Sequence, residues 1–380
     1  MKIMHCADFH LDSSFSGLDS GAADARRAEL RESLVSVIKY SKEAGVQLIL
    51  ISGDLFDRPY CTASTKHEVF EALASAECPI VISPGNHDPY VKGGVYADKG
   101  LPENVFVFSS TELGRFDFDE IGVSVFGYAY TSDSYEKDPI SDIVPLSETN
   151  INVLCAHSDV RSAFSKYAPM TASGISRAGF TYAALGHVHL APKPQRIGNC
   201  TMAYSGFVQG RSFDETGEGG VYVVDIDRET LAVTLERVVF SKLRYEIERL
   251  DITGCERDTE VISRITKLIT DKRYGKNTAL RVILEGAVLS AYTPSQKRIC
   301  AGGALSALAL LEIKDETSPT LDLDYLEKDI TVRGEFYKSL KPMLTSDDES
   351  ERECAKLALK AGLAALDRRE LSLGLASDGE

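Results

Sequence analysis

No apolar run in this chain of 380 residues approaches the roughly 20 residues needed to cross a bilayer. The opening stretch, MKIMHCADFH, lacks the apolar region of a secretory signal, because polar residues interrupt it early. The eight cysteines are scattered and never form a CxxC pair. That argues against both a disulfide framework and a zinc ribbon, and reduced thiols in a cytoplasmic protein away from any membrane are expected. Positive charge is scarce too: 42 Lys and Arg face 57 Asp and Glu, for a net charge of −15. A broad basic surface for nucleic acid is thereby disfavoured. Nucleic acid remains compatible with a site where bound cations bring the positive charge. What is present is ordinary for a globular chain, 43% hydrophobic and 26% charged, and long enough for two domains.

One theme repeats through the first 240 or so residues. An apolar run ends and polar residues follow at once: KIMHCA then DFH, VQLILIS then GDLFD, CPIVIS then PGNHD, INVLCA then HSD, YAALG then HVH. Apolar runs of four to eight residues bounded by turn signals read as buried strands. Between the first two runs, Leu30, Leu34, Val37 and Ile38 fall at helical spacing, with Gly45 as a C-terminal stop. A second helix, about residues 62 to 76, is expected to bury Val69, Phe70 and Leu73. Strands alternating with helices imply an α/β domain with a largely parallel sheet. In such sheets ligands gather outside the carboxyl ends of the strands, where all five polar clusters lie.

The pattern changes after about residue 241. DTEVISRITKLITDK is an amphipathic helix with Val261, Ile262, Ile265, Leu268 and Ile269 on one face; ALRVILEGAV and ALALLEIKDE read as strands. A small α+β domain and then two helices are expected. The first helix places Val332, Phe336 and Leu340 on one stripe with Tyr337 and Leu344 beside it; the second offers Cys354, Leu357, Ala358 and Ala361. These faces either pack on each other or dock on a partner. The last ten residues read as frayed.

The strand-end residues Asp8, His10, Asp54, Asn86, His87, His157, His187 and His189 include five of the seven histidines. Carboxylates, imidazoles and an amide without thiols suit hard-to-borderline divalent ions: manganese first, with iron or zinc as alternatives. Two ions held roughly 3.5–4 Å apart need a bridging ligand, and the Asp54 carboxylate suits that role. Coordination also lowers the pKa of water towards about 7, so no protein base is required.

DFH, GDLFD, GNHD, AHSD and GHVH, in that order, resemble the signature of the calcineurin-like metallophosphoesterases. Within them the chain is similar to the DNA-repair exonuclease branch, the SbcD-type nucleases and, through ADFHLDSSF, still more the YhaO-type bacterial proteins. The resemblance implies a β-sandwich flanked by helices at residues 1–242, a small α+β capping domain at 243–318, and C-terminal helices at 319–380 that attach an ATPase partner. It implies two divalent metal ions. Asp8, His10 and His189 would hold one ion, Asn86, His157 and His187 the other, and Asp54 would bridge. His87 would contact the scissile phosphate and protonate the leaving oxygen. DNA is the implied substrate, an SMC-like ABC ATPase the implied partner, and homodimerisation through the catalytic domain is common in the family.

The match has departures. Asp57 stands where archaeal members of the nuclease family carry a histidine implicated in exonuclease activity. Asp57-Arg58 also resembles the phosphate-holding pair of protein phosphatases, although Pro59 and GHVH favour the nuclease branch. Arg58 either contacts phosphate or forms a surface ion pair. Asp88 is expected to orient its neighbours, and Asp12 either orients metal ligands or caps a turn. The aromatic residues around 116 to 135 read as core and edge strand, with base stacking as the alternative. Two rival functions stand beside the DNA nuclease: a phosphatase or small-nucleotide phosphodiesterase using the same metals, and a non-catalytic scaffold protein.

Overall fold

The apolar runs become strands whose side chains alternate between two cores. The structure is a computed structural model, and it describes residues 1–140, 146–162, 164–289, 292–302, 307–320 and 323–366. The last ten residues, expected to fray, lie outside these.

The chain forms two compact units, the first spanning Met1–Tyr245 and the second beginning at Glu246. In the first, one six-stranded sheet contains β1 (Lys2–Cys6), β2 (Leu48–Ile51), β3 (Ile80–Ile82) and β4 (Val105–Val107). The other contains β5 (Gly114–Phe118), β6 (Val123–Gly127), β7 (Ile151–His157), β8 (Tyr182–Gly186), β9 (Gln195–Ile197) and β10 (Cys200–Tyr204). The chain then returns to the first sheet as β11 (Gly220–Ile226) and β12 (Val233–Val239). The strand orders are β12-β11-β1-β2-β3-β4 and β5-β6-β7-β8-β10-β9. β1 to β4 run parallel, as do β6, β7, β8 and β10. Antiparallel strands extend both sheets: β11 and β12 on the first, β5 and β9 at the two edges of the second.

Period-two alternation explains the layering. Leu48 and Leu50 of β2 point into a shared core with Val153 and Cys155 of β7 and Tyr182 and Ala184 of β8. Ile49 and Ile51 point the other way, onto α1 (Ser20–Glu43) and α2 (Ala63–Ala74). Leu154 and Ala156 likewise face the side covered by α3 (Ala172–Arg177). Central strands covered on both faces need near-continuous apolar sequence, which is what made them recognisable. The two sheets thus form a sandwich flanked by helices, where the strand pattern alone suggested one sheet. His5 crosses between the sheets, its Nδ1 2.7 Å from the Tyr182 hydroxyl, and burial lowers its pKa to about 3.

α1 begins at Asp19, whose carboxylate accepts from the Ala22 amide, and ends ahead of Gly45 at φ +66°. α2 is capped by Thr62 and buries Val69 and Leu73, while Phe70 is only partly buried. Phe116 and Phe118 pack around Phe106, and Phe126, Tyr128 and Tyr130 are buried, so the aromatic stretch is core and edge strand.

The second unit contains a three-stranded sheet of β13 (Arg244–Asp251), which starts just before the unit boundary, β14 (Thr278–Glu285) and β16 (Leu310–Asp315). Short strands β15 (Ala287–Val288) and β17 (Ser318–Pro319) pair beside it. α4 (Asp258–Lys272) and α5 (Gln296–Ala301) share its core; α4 buries Val261, Ile265 and Ile269, with Ile262 and Leu268 at the margin. A separate small core joins α6 (Leu323–Lys328), α7 (Val332–Leu344) and α8 (Glu349–Leu366) through Leu326, Tyr337, Leu359 and Leu363. Phe336, Tyr337, Leu340 and Leu344 of the expected α7 stripe join this core, whereas Val332 and the expected face of α8 do not. α8 turns Ala355, Leu359 and Leu363 inward, while Cys354 and Leu357 are exposed, and Val332 of α7 is 69% exposed. Leucines and alanines surround α8 on several sides, so spacing alone could not select the buried face.

Candidate metal centre

The five strand-end clusters meet at one place. Parallel strands in register present their carboxyl ends together, so turns far apart in sequence become neighbours. Asp8, His10, Asp54 and His189 bring one ligand atom each to within 4.8 Å of one another. Asp8, His10 and Asp54 are buried. Asp54 Oδ2 lies 3.3 Å from His157 Nε2 and 3.7 Å from His10 Nε2, between the two groups of ligands proposed from sequence. On the far side, His157 Nε2 is 3.0 Å from Asn86 Oδ1. The His187 ring is 5.2 Å from that of His157 and packs at 4.5 Å on Tyr167. His87 is exposed at the mouth, its ring 4.8 Å from that of His10.

The backbone is bent to make this arrangement. Asp8, His10, Asp54 and His187 have φ of 52°, 47°, 51° and 95°, in the left-handed region that side-chain-bearing residues avoid. Such conformations cost on the order of 1–3 kcal/mol each and gather at functional sites. Glycine makes the close approach possible at two points. A Cβ on Gly85 would meet Asp54 Oδ1 at 2.2 Å, and one on Gly53 would meet His157 Nδ1 at 2.4 Å. Asp88 ties the turns together. Its buried carboxylate accepts from the amides of Asp54, Phe56 and Gly85 at 3.1, 3.0 and 2.7 Å, and from the Tyr96 hydroxyl. Two further amides donate to proposed ligands: His87 to Asp54 Oδ1 at 3.0 Å, and His187 to Asp8 at 3.2 Å.

Do these residues fit metal ions? His157 Nδ1 lies 2.9 Å from the Ser52 carbonyl, which requires the proton on Nδ1. Its Nε2 faces two acceptors, Asn86 Oδ1 and Asp54 Oδ2, so without a metal it must carry a proton: against burial, Asp54 raises the pKa of the ring to about 9. On the other side, His189 Nδ1 meets Glu215 Oε1 at 2.9 Å and His10 Nδ1 stands 3.3 Å from Asp57 Oδ1, so the two Nε2 atoms face each other at 3.1 Å. Acceptors aimed at acceptors repel unless a proton or a cation lies between them. A buried set of this kind, hard in its donor atoms, fits divalent ions.

The electrostatics agree. Burial would push the Asp54 carboxyl up, but the protonated His157 ring outweighs it, with smaller help from His10 and His87, and holds Asp54 well below the usual range; the positive charge that His157 carries here is the one a metal ion would replace. Burial lowers His10, and burial with the neighbouring His157 lowers His187 to about 3, which keeps both neutral with lone pairs to donate. His189 goes the other way, raised against burial by Glu215 and Asp8.

The remaining candidates divide. Asp57 stands beside His10 as described, and Arg211 Nη1 donates to it at 3.2 Å. Asp12 accepts from the Thr62 amide and the Thr65 hydroxyl, both at 2.9 Å, and so braces the start of α2. Arg58 is exposed and has no ion pair among the described residues. Sequence reasoning missed Arg211 and Glu215, which lie in the loop between β10 and β11. Their signal was position: β10 ends at the same edge as the other clusters.

A model of the family described as calcineurin-like phosphoesterase matches residues 1–191. The chain belongs to this family. Calcineurin-like phosphoesterases are hydrolases that use a dimetal site, and the cluster around Asp54 has the chemistry for one. Among relatives, the uncharacterized metallophosphoesterase YhaO of Bacillus subtilis (strain 168) is 25% identical over 303 residues, 75% of this chain and 72% of that protein. The DNA double-strand break repair protein Mre11 of Methanopyrus kandleri is 24% identical over 353 residues, 85% of this chain and 75% of its own. The SbcD component of the SbcCD nuclease of Staphylococcus epidermidis is 25% identical over 264 residues, 61% of this chain and 67% of that protein. Among the described residues, no helix is long and apolar enough to cross a membrane.

Proposed function

We propose that this phosphoesterase hydrolyses phosphodiester bonds in DNA as the nuclease component of a repair complex with an SMC-like ABC ATPase. The observation that carries the hydrolytic reading is the convergence of carboxylate, imidazole and amide ligand atoms around the buried Asp54. In this reading Asp8, His10 and His189 hold one divalent ion, Asn86, His157 and His187 the other, and Asp54 bridges them. When bound, such ions, with manganese first among them, polarise phosphoryl oxygens and lower the pKa of water. The chain's own part is to fix the phosphate in line and exclude other geometries. His87, free at the mouth, is placed to contact that phosphate and give a proton to the leaving oxygen.

DNA as substrate draws support from two relatives whose names specify break repair and a nuclease. The surface supports it as well. A cleft of about 420 Å³ bordered by Asn86, His87, Lys166 and Tyr167 opens beside the site. Phe164, 99% exposed, lies two residues before Lys166. Rings and cations together suit the bases and phosphates of a single strand.

A mononucleotide-sized cleft and a net charge of −15 favour a second reading, a phosphatase or small-nucleotide phosphodiesterase. Labelled linear duplex, single strand, a cyclic dinucleotide and a phosphomonoester, each with manganese, magnesium or chelator, separate the two. Manganese-dependent shortening of DNA is expected. Turnover of the monoester or cyclic dinucleotide, with intact DNA, would replace the first reading by the second.

A further inference from the structure

Arg211 sits behind the first proposed metal position, and four of its five guanidinium N–H groups are engaged there. Nε donates to Glu215 Oε1 and Oε2 at 3.0 and 3.2 Å, and Nη2 donates to Oε1 as well. Nη1 reaches Asp57 Oδ1 at 3.2 Å and the Ser13 hydroxyl at 3.4 Å. The Arg211 amide adds a bond of 2.8 Å to Glu215 Oε2. One guanidinium therefore joins two carboxylates: Glu215, which lies 2.9 Å from His189 Nδ1, and Asp57, which stands 3.3 Å from His10 Nδ1 without hydrogen-bond geometry. Glu215 is 2% exposed.

Among the described residues the second position has no such brace. His157 Nδ1 meets a backbone carbonyl, a neutral partner. The His187 ring has no hydrogen-bond partner among the described residues and rests on Tyr167 and His157. Asn86 brings a neutral amide.

We propose that Arg211 and Glu215 are positioning residues for the first metal position, which therefore takes up its ion more tightly than the second. The inference rests on the two-metal reading above. A carboxylate accepting from Nδ1 fixes the tautomer and the ring, and makes Nε2 a better donor; losing such a partner weakens metal affinity by about 10–100-fold. The planar fork of arginine holds both carboxylates in fixed directions, which a lysine ammonium cannot reproduce.

The test is metal titration of the chelator-treated full chain, by calorimetry with Mn²⁺ and by visible absorption with Co²⁺, without any turnover measurement. The wild type is expected to bind in two unequal steps. Arg211→Met and Glu215→Gln should each weaken the tighter step by about 10–100-fold and leave the weaker step in place. Arg211→Lys should recover part of the loss, which a purely structural role for the side chain would not predict. Circular dichroism and melting of the metal-free proteins check folding; if Arg211→Met does not fold, Glu215→Gln alone decides. Two equal steps in the wild type, or variants that weaken both steps alike or neither, would overturn this inference and leave the two-metal reading standing. A wild type that binds no metal would overturn both.

Discussion

Asp54 is where the candidate centre meets its own backbone. Its carboxylate lies between His10 and His157, and its φ of 51° is a conformation that nothing but close packing would maintain. Asp54→Asn keeps the shape but removes the negative charge and replaces one of the two coordinating oxygens by an NH2 that cannot bind a metal. It should empty both positions and abolish phosphodiester hydrolysis; metal analysis showing two retained ions and normal turnover would remove Asp54 from the bridging role. His87 poses the opposite question. It comes within ligand distance of His10 and Asp57, yet stands exposed at the mouth. His87→Ala should keep both ions and slow hydrolysis by about 10²–10⁴-fold, the usual contribution of a proton donor. Loss of metal in that variant would make His87 a ligand. Most of these residues were legible in sequence because each follows directly on an apolar run. Arg211 and Glu215 were not, since GRSFDETGE has the look of any polar loop until the fold carries it behind His189.

At the scale of elements, the site depends on turns held to one another. Asp88 collects three amides and a hydroxyl from β2's exit turn, its own turn and Tyr96, all without exposure to solvent. Removing this acceptor leaves buried neutral donors without a partner, typically a loss of about 1–3 kcal/mol. Asp88→Ala should therefore lower stability by about that amount in denaturant unfolding and weaken metal binding. Asp88→Asn, which retains an acceptor, should lose less; equal stability of Asp88→Ala and wild type would contradict the bracing role. The strands around this network were legible because full burial demands continuous apolar residues. Their division into two sheets followed only from the family resemblance, because β6, β7 and β8 share the same signature as β1, β2 and β3. The antiparallel additions, such as half-exposed β12, carry too little apolar pattern to show which sheet they join.

For the whole molecule, the helices α6 to α8 have their own hydrophobic cluster, distinct from the one beneath α4 and β14. A chain ending near residue 320 should stay folded, bind metal and cleave small diesters, yet fail to co-purify with the proposed ATPase. Aggregation of the shortened chain would assign these helices to packing, and undiminished co-purification would exclude them as the attachment. The separate cores also bear on cooperativity. All-or-none melting belongs to single cores, so no single transition temperature describes this protein. Scanning calorimetry should resolve at least two transitions, the small four-residue cluster of α6 to α8 yielding first. Because ligands stabilise only what binds them, chelation should lower the transition of the unit that contains Asp54 and leave the helical one where it was.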